Sequence, residues 1–171
     1  MRESRADRAG SATAAPRRAP RWHRADRLHR ERIPAVLRAW VFARGSLTAH
    51  VRARCPGAFD LRVLRQQVDI PRRDEARALR LAPGSRALIR EVALRCRGEP
   101  LVVARTIIPL TSLRGRQARL AALGRRPLGQ LLFTDPSARR GPYAVARLTL
   151  RQAGVARPPP GGPVWGRRAV Y

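Results

Sequence analysis

Apolar and polar positions alternate most regularly over two neighbouring stretches of the chain. From Ala87 to Cys96, Leu88, Arg90, Val92, Leu94 and Cys96 fall on one face of an extended segment, and Ala87, Ile89, Glu91, Ala93 and Arg95 on the other. Leu101 to Ile108 repeats the pattern, and the intervening Arg97-Gly98-Glu99-Pro100 predicts an antiparallel hairpin. Asp60 to Asp69 predicts a less regular strand, with Leu61 and Val63 on one face and Leu64 and Val68 on the other, before a turn at Pro71. Helical spacing begins at Ile33-Pro34, where proline suits a first turn and Gly45 ends the element. Ser46 caps a second helix whose Leu47, Val51 and Cys55 form a stripe that Pro56-Gly57 terminates. A helix from Ser112 carries Leu113, Leu120 and Leu123 and stops at Gly124, and Pro127 opens a short one containing Leu131, Leu132 and Phe133. Tyr143 to Leu150 alternates loosely, and Pro158 to Pro163 reads as a turn or flexible segment. The predicted class is α+β: one domain, an antiparallel sheet with helices packed on one side.

Arg90 breaks this pattern in an informative way. A guanidinium on an aliphatic face needs an anion, because an unpaired buried charge is strongly disfavoured. Either a protein carboxylate neutralises it, or the face is a pocket wall and the anion is a ligand. The residues alone leave both readings open. Glu91 projects to the opposite face and is expected to serve as a structural partner for another arginine, and Arg105 on the next strand is expected to be a member of such an ion pair.

Composition changes the picture mainly through charge. The 171 residues suit a single domain, and 44% hydrophobic content is ordinary. All 37 Lys+Arg positions are arginine, and with 11 acids the formal net charge is +26. Such charge gives non-specific affinity for phosphates. The arginines are scattered, however, and only 5% of the chain is aromatic, so a dedicated nucleic-acid surface is disfavoured. The abundant alanine, glycine and proline match what a GC-rich coding sequence produces. Cys55 and Cys96 are expected to be reduced core thiols, and His23, His29 and His50 have no metal-site spacing. The stretch from Met1 to about Arg32, rich in Arg, Ala and Pro, is expected to be a mostly disordered arm ahead of a domain at 33–171. No apolar run follows the first arginines, so neither a secretory signal nor a membrane helix is expected, and the cytoplasm is the expected location.

The runs REVALRCRGEPLVVARTIIP, LGRRPLGQLLF and VWGRR, with Ser46-Leu47-Thr48 after Trp40, resemble the bacterial chorismate pyruvate-lyases. The REV, GEP and final proline also occur in the effector-binding (UTRA) domains of some regulators, a family of similar fold. PLG followed by LF, with WGRR downstream, is closer to the lyases, and the residues before Ile33 are too short and irregular for a winged helix-turn-helix. The resemblance implies conversion of chorismate to 4-hydroxybenzoate and pyruvate for ubiquinone biosynthesis, without a metal or organic cofactor, by a monomer. It also implies that Arg90 anchors the substrate carboxylate, that the Leu128 backbone amide donates to the same group, and that Leu47 lines the ring pocket. In the family a strand pair after WGRR carries a glutamate that contacts the ring hydroxyl. No acid follows Asp135 here, so the catalytic residue stays unknown, the domain is expected to lack the terminal strands, and low or absent turnover is expected.

Overall fold

The central hairpin closes on two residues with positive φ, Arg97 (51°) and Gly98 (84°), as a two-residue type I′ turn requires. In the computed structural model, which describes residues 19–43, 45–153 and 164–171, this turn joins β3 (Ala87–Cys96) to β4 (Glu99–Pro109). The strands run closer to the turn than the four-residue linker suggested. β2 (Phe59–Asp69) pairs with the other edge of β3, giving an antiparallel sheet in the order β2-β3-β4. Because β3 is central, its residues from Ala87 to Leu94 are all buried, including both charged ones. The register sets Gln66 and Thr106 beside Arg90, and Arg105 beside Glu91.

A second three-stranded sheet, in the order β1-β5-β6, is built from β1 (His23–Arg24), β5 (Ala144–Leu148) and β6 (Val164–Arg168). Helices α1 (Ala35–Val41) and α2 (Leu47–Arg54) lie between the first two strands in sequence, and Ser46 Oγ caps α2 by accepting from the Ala49 amide at 3.2 Å. Val51, Leu61, Val92 and Leu94 form one core cluster; Ile33, Val41 and Val145 form another with Leu28, Leu37 and Trp165 around them. A third joins Leu88, Ile108 and Leu120 to Leu128 and Leu131 of α4 (Leu128–Thr134), and so fixes that short helix against the hairpin. No helix among the described residues is long and apolar enough to cross a membrane.

Several expectations are corrected. Residues 110–120 do not form one α-helix but two 3-10 segments, Leu110–Ser112 and Gly115–Leu120, because Gly115 opens the second with a left-handed φ of 53°. Cys55 and Cys96 are not free thiols: they form a disulfide, since α2 ends against the start of the hairpin turn and brings their Cα atoms to 5.7 Å. The first 18 residues of the expected arm lie outside the described residues, but residues 19–32 contain β1 and two short 3-10 turns. Trp22 ties them down by donating from Nε1 to Asp74 Oδ2 at 3.1 Å.

That contact involves an unpredicted element, α3 (Arg73–Ala78), whose first turn holds Asp74 and Glu75. Glu75 accepts from the Arg72 amide at 2.9 Å, closing the helix start. Asp74 also pairs with Arg168 of β6 at 3.2 Å, and Glu75 with Arg105 of β4 at 2.7 Å. Two consecutive acids thus bind one helix to both sheets. Arg105 and Glu91, each expected to be a structural ion-pair member, prove to be partners of one another, at 2.5 Å. The expected flexible segment at 158–163 lies outside the described residues.

Candidate active site

The interior face of the hairpin leads directly to the site. Arg90 is 2% exposed, yet no carboxylate lies within ion-pair distance of it among the described residues. Its Nη1 donates to Gln66 Oε1 at 2.6 Å, and its Nη2 donates to the carbonyls of Gly124 at 2.8 Å and Arg126 at 3.3 Å. These neutral acceptors fix the guanidinium without cancelling its charge, and two of the five N–H donors that such a group carries find no acceptor among the described residues. Burial lowers the pKa of Arg90 from its ordinary value, the direction expected of a cation without a counter-ion. Gln66 is fixed in turn, since its Nε2 donates to the Ala121 carbonyl at 2.8 Å.

Arg90 lines a cavity of about 200 Å³ together with Leu47, Thr48, Leu94, Leu128 and Tyr171. The three residues expected to bind substrate, Leu47, Arg90 and Leu128, therefore reach one cavity from α2, β3 and α4. The loop that supplies two carbonyls to Arg90 runs straight into Pro127, which precedes α4 with extended backbone. As first-turn residues, Leu128 and Gly129 have amides with no intrahelical acceptor, and both line the cavity. Much of the remaining wall is apolar or hydroxylic, with Val92, Val102 and Ala104 from the hairpin and Ser46, Thr48 and Thr106 offering hydroxyls. No carboxylate lines the cavity among the described residues.

Three lining residues were not anticipated: Arg140, Arg167 and Tyr171. The signal for Arg167 was present in VWGRR, which the sequence offered only as a motif. Arg167 donates to the Ala43 and Gly45 carbonyls and so holds the turn before α2 against β6. No sequence pattern marks Arg140, which reaches the cavity because the Gly141 amide donates to the Val170 carbonyl at 2.8 Å.

An α+β scaffold of two antiparallel sheets, with a cavity that holds a buried guanidinium lacking a counter-ion among the described residues, has the shape and charge to fit a small organic anion. Residues 15–171 match the chorismate lyase family, and the chain belongs to that family. It is 46% identical over 138 residues to a probable chorismate pyruvate-lyase of Methylococcus capsulatus, an alignment covering 79% of this chain and 85% of the relative. It is 42% identical over 149 residues to one from Aromatoleum aromaticum, covering 83% and 80%, and 43% identical over 146 residues to one from Azoarcus, covering 79% and 76%.

Proposed function

We propose that the chain is a carbon-oxygen lyase that converts chorismate to 4-hydroxybenzoate and pyruvate, in keeping with the chorismate pyruvate-lyase names of its relatives. The observation that carries this reading is Arg90, buried among aliphatic side chains and held only by neutral acceptors. In this reading its free N–H groups take the ring carboxylate, the Leu128 amide donates to the same group, and Leu47 packs on the ring. Charge-assisted hydrogen bonds contribute roughly 1.5–3 kcal/mol each, sufficient to retain a small planar acid.

The reaction breaks the ether C–O bond between the ring and the enolpyruvyl side chain, and the neighbouring ring carbon loses its hydrogen. The electrons of that C–H bond complete an aromatic ring, and the hydrogen is recovered on the methyl group of pyruvate. Aromatisation drives the change, so orientation and charge placement can carry most of the catalysis. The described cavity wall offers hydroxyls and guanidinium groups but no carboxylate, and slow turnover is expected on that ground. The same reading has the protein working as a monomer in the cytoplasm, in ubiquinone biosynthesis, with no specific nucleic-acid partner.

A coupled assay for pyruvate, run beside chromatography of the aromatic product, tests it. Pyruvate and 4-hydroxybenzoate are expected in equal amounts, above the uncatalysed rate, and lost on Arg90→Ala. Release no faster than spontaneous decay, or unaffected by that substitution, would overturn the proposal.

A further inference from the structure

The cavity beside Arg90 does not end at the aliphatic wall. Arg140, Arg167 and Tyr171 also line a second cavity of about 170 Å³, which they share with Tyr143, Arg168 and Ala169. Arg140 and Tyr171 are exposed, which places this second space at the mouth of the first. Arg168 is neutralised by Asp74 and stacks over the Trp22 ring at 4.5 Å. The other two cations are not so compensated. Arg167 is committed to backbone carbonyls, and no acid pairs with Arg140 or Arg167 among the described residues.

Two guanidinium groups close enough to repel one another need a reason to stay together. Burial, and next the charge of Arg140, lower the pKa of Arg167, while Tyr143 and Tyr171 oppose that effect. The backbone enforces the arrangement: the Gly141 amide is bound to the Val170 carbonyl, which brings the Arg140 segment alongside the end of β6. An anion entering the mouth relieves this repulsion, and the Tyr171 hydroxyl can donate to it.

We infer that Arg140, Arg167 and Tyr171 form a second carboxylate subsite, so that the cavity reads a dianion by its two ends. Arg90 and Leu128 take the ring carboxylate, and the mouth takes the carboxylate of the side chain that leaves. The inference rests on the proposed lyase reading for its first anchor, and the second follows from the shared cavity. It assigns the mouth a role in selecting dicarboxylates over monocarboxylates. It also has the product aromatic acid lose the mouth contact when the side chain departs.

The test uses calorimetry on the full chain with two stable probes: 4-hydroxybenzoate, with one carboxylate, and 3-(carboxymethoxy)-4-hydroxybenzoate, which adds a carboxylate on a meta ether arm. Arg140→Ala is the main variant, because Arg140 is exposed and its loss opens no core; Arg139→Ala, one residue away and outside both cavities, is the control. Arg140→Ala is expected to weaken the dianion by about fivefold or more while changing 4-hydroxybenzoate by less than about twofold. Arg140→Lys should recover part of the loss, and Arg139→Ala should change neither ligand. Equal weakening of both probes, no weakening of the dianion, or no dianion binding by the native chain would overturn the subsite. If the dianion binds in an Arg140-dependent way while Arg90→Ala leaves both probes unaffected, the subsite stands and the lyase reading fails.

Discussion

Arg90 and Glu91 are adjacent in β3 and both buried, at 2% and 4% exposure, yet they share no ion pair. The pleat of the strand sends them to opposite faces. Glu91 meets Arg105 at 2.5 Å, and Arg105 is also held by Glu75, so that face is saturated with charge partners. Arg90 is left with amide and carbonyl oxygens alone. One face of the sheet is therefore closed electrostatically, and the other keeps a cation with no counter-ion among the described residues.

Glu91→Gln should accordingly affect stability and not binding. Removing one carboxylate from a buried pair is destabilising, but Arg105 keeps Glu75, so a loss of about 1–3 kcal/mol is expected. Thermal unfolding should shift down by several degrees, roughly 2–4 °C per kcal/mol at this size, with the affinity for 4-hydroxybenzoate held within about twofold. A variant that binds tenfold more weakly at unchanged melting temperature would contradict this division of the two faces.

The Cys55–Cys96 disulfide spans 41 residues and joins the end of α2 to the hairpin. Cross-linking over that separation stabilises by roughly 4 kcal/mol in the chain-entropy picture. Reductant, or replacement of both cysteines by serine, should lower the melting temperature by on the order of 10 °C. The unreduced chain, once unfolded, should show no free thiol. Two titratable thiols, or an unchanged melting temperature under reductant, would count against the bond.

Stability should fall in two stages on acidification. Burial, and next Arg54 and Arg167, hold the His50 pKa below its ordinary value, and its Nε2 has no hydrogen-bond partner among the described groups. The unfolded chain therefore takes up a proton before the folded one does. Stability is full above the unfolded histidine pKa of about 6.5 and declines below it until the folded group titrates. His50→Gln should flatten this first stage. A second loss is expected below about pH 4, where the unfolded chain protonates these carboxylates while the folded one keeps Asp135, held well below the carboxylate range by Ser137 and Gln117, and Asp60, lowered mainly by Arg95, ionised. Melting temperatures from pH 8 to 3 check both stages; a native curve flat from pH 7 to 5 would refute the first.

The hairpin was legible because period-two alternation and the Arg97-Gly98-Glu99-Pro100 linker are local signals, though the turn proved to be two residues long, and the Ser46 cap was legible too. Arg90 stood out for the same reason, as a charge written into an apolar face. Arg167 lay within the VWGRR motif but carried no sign of its position, and Arg140 was not legible at all, since its segment gains its place only through a backbone bond to Val170, far along the chain. The α3 helix was missed because it has six residues and no apolar stripe, and the acids that define it act through distant arginines. The helix expected from Ser112 failed for a local reason, the conformation of Gly115, which a leucine spacing does not report. The disulfide depended on where α2 ends relative to the hairpin, a tertiary fact with no spacing signature.

Calorimetry with 4-hydroxybenzoate shows whether Arg90 holds the carboxylate of an aromatic acid. Arg95 is the natural control: it lies on the same strand but faces away, paired with Asp60 at 2.6 Å. Arg90→Ala is expected to weaken binding by at least about tenfold, as loss of a charge-assisted bidentate contact implies, while Arg95→Ala changes it by less than about twofold. Circular dichroism and melting curves on both variants separate loss of the anchor from loss of the fold. If a folded Arg90→Ala binds as tightly as the native chain, or if the two substitutions weaken binding equally, Arg90 is not the carboxylate anchor.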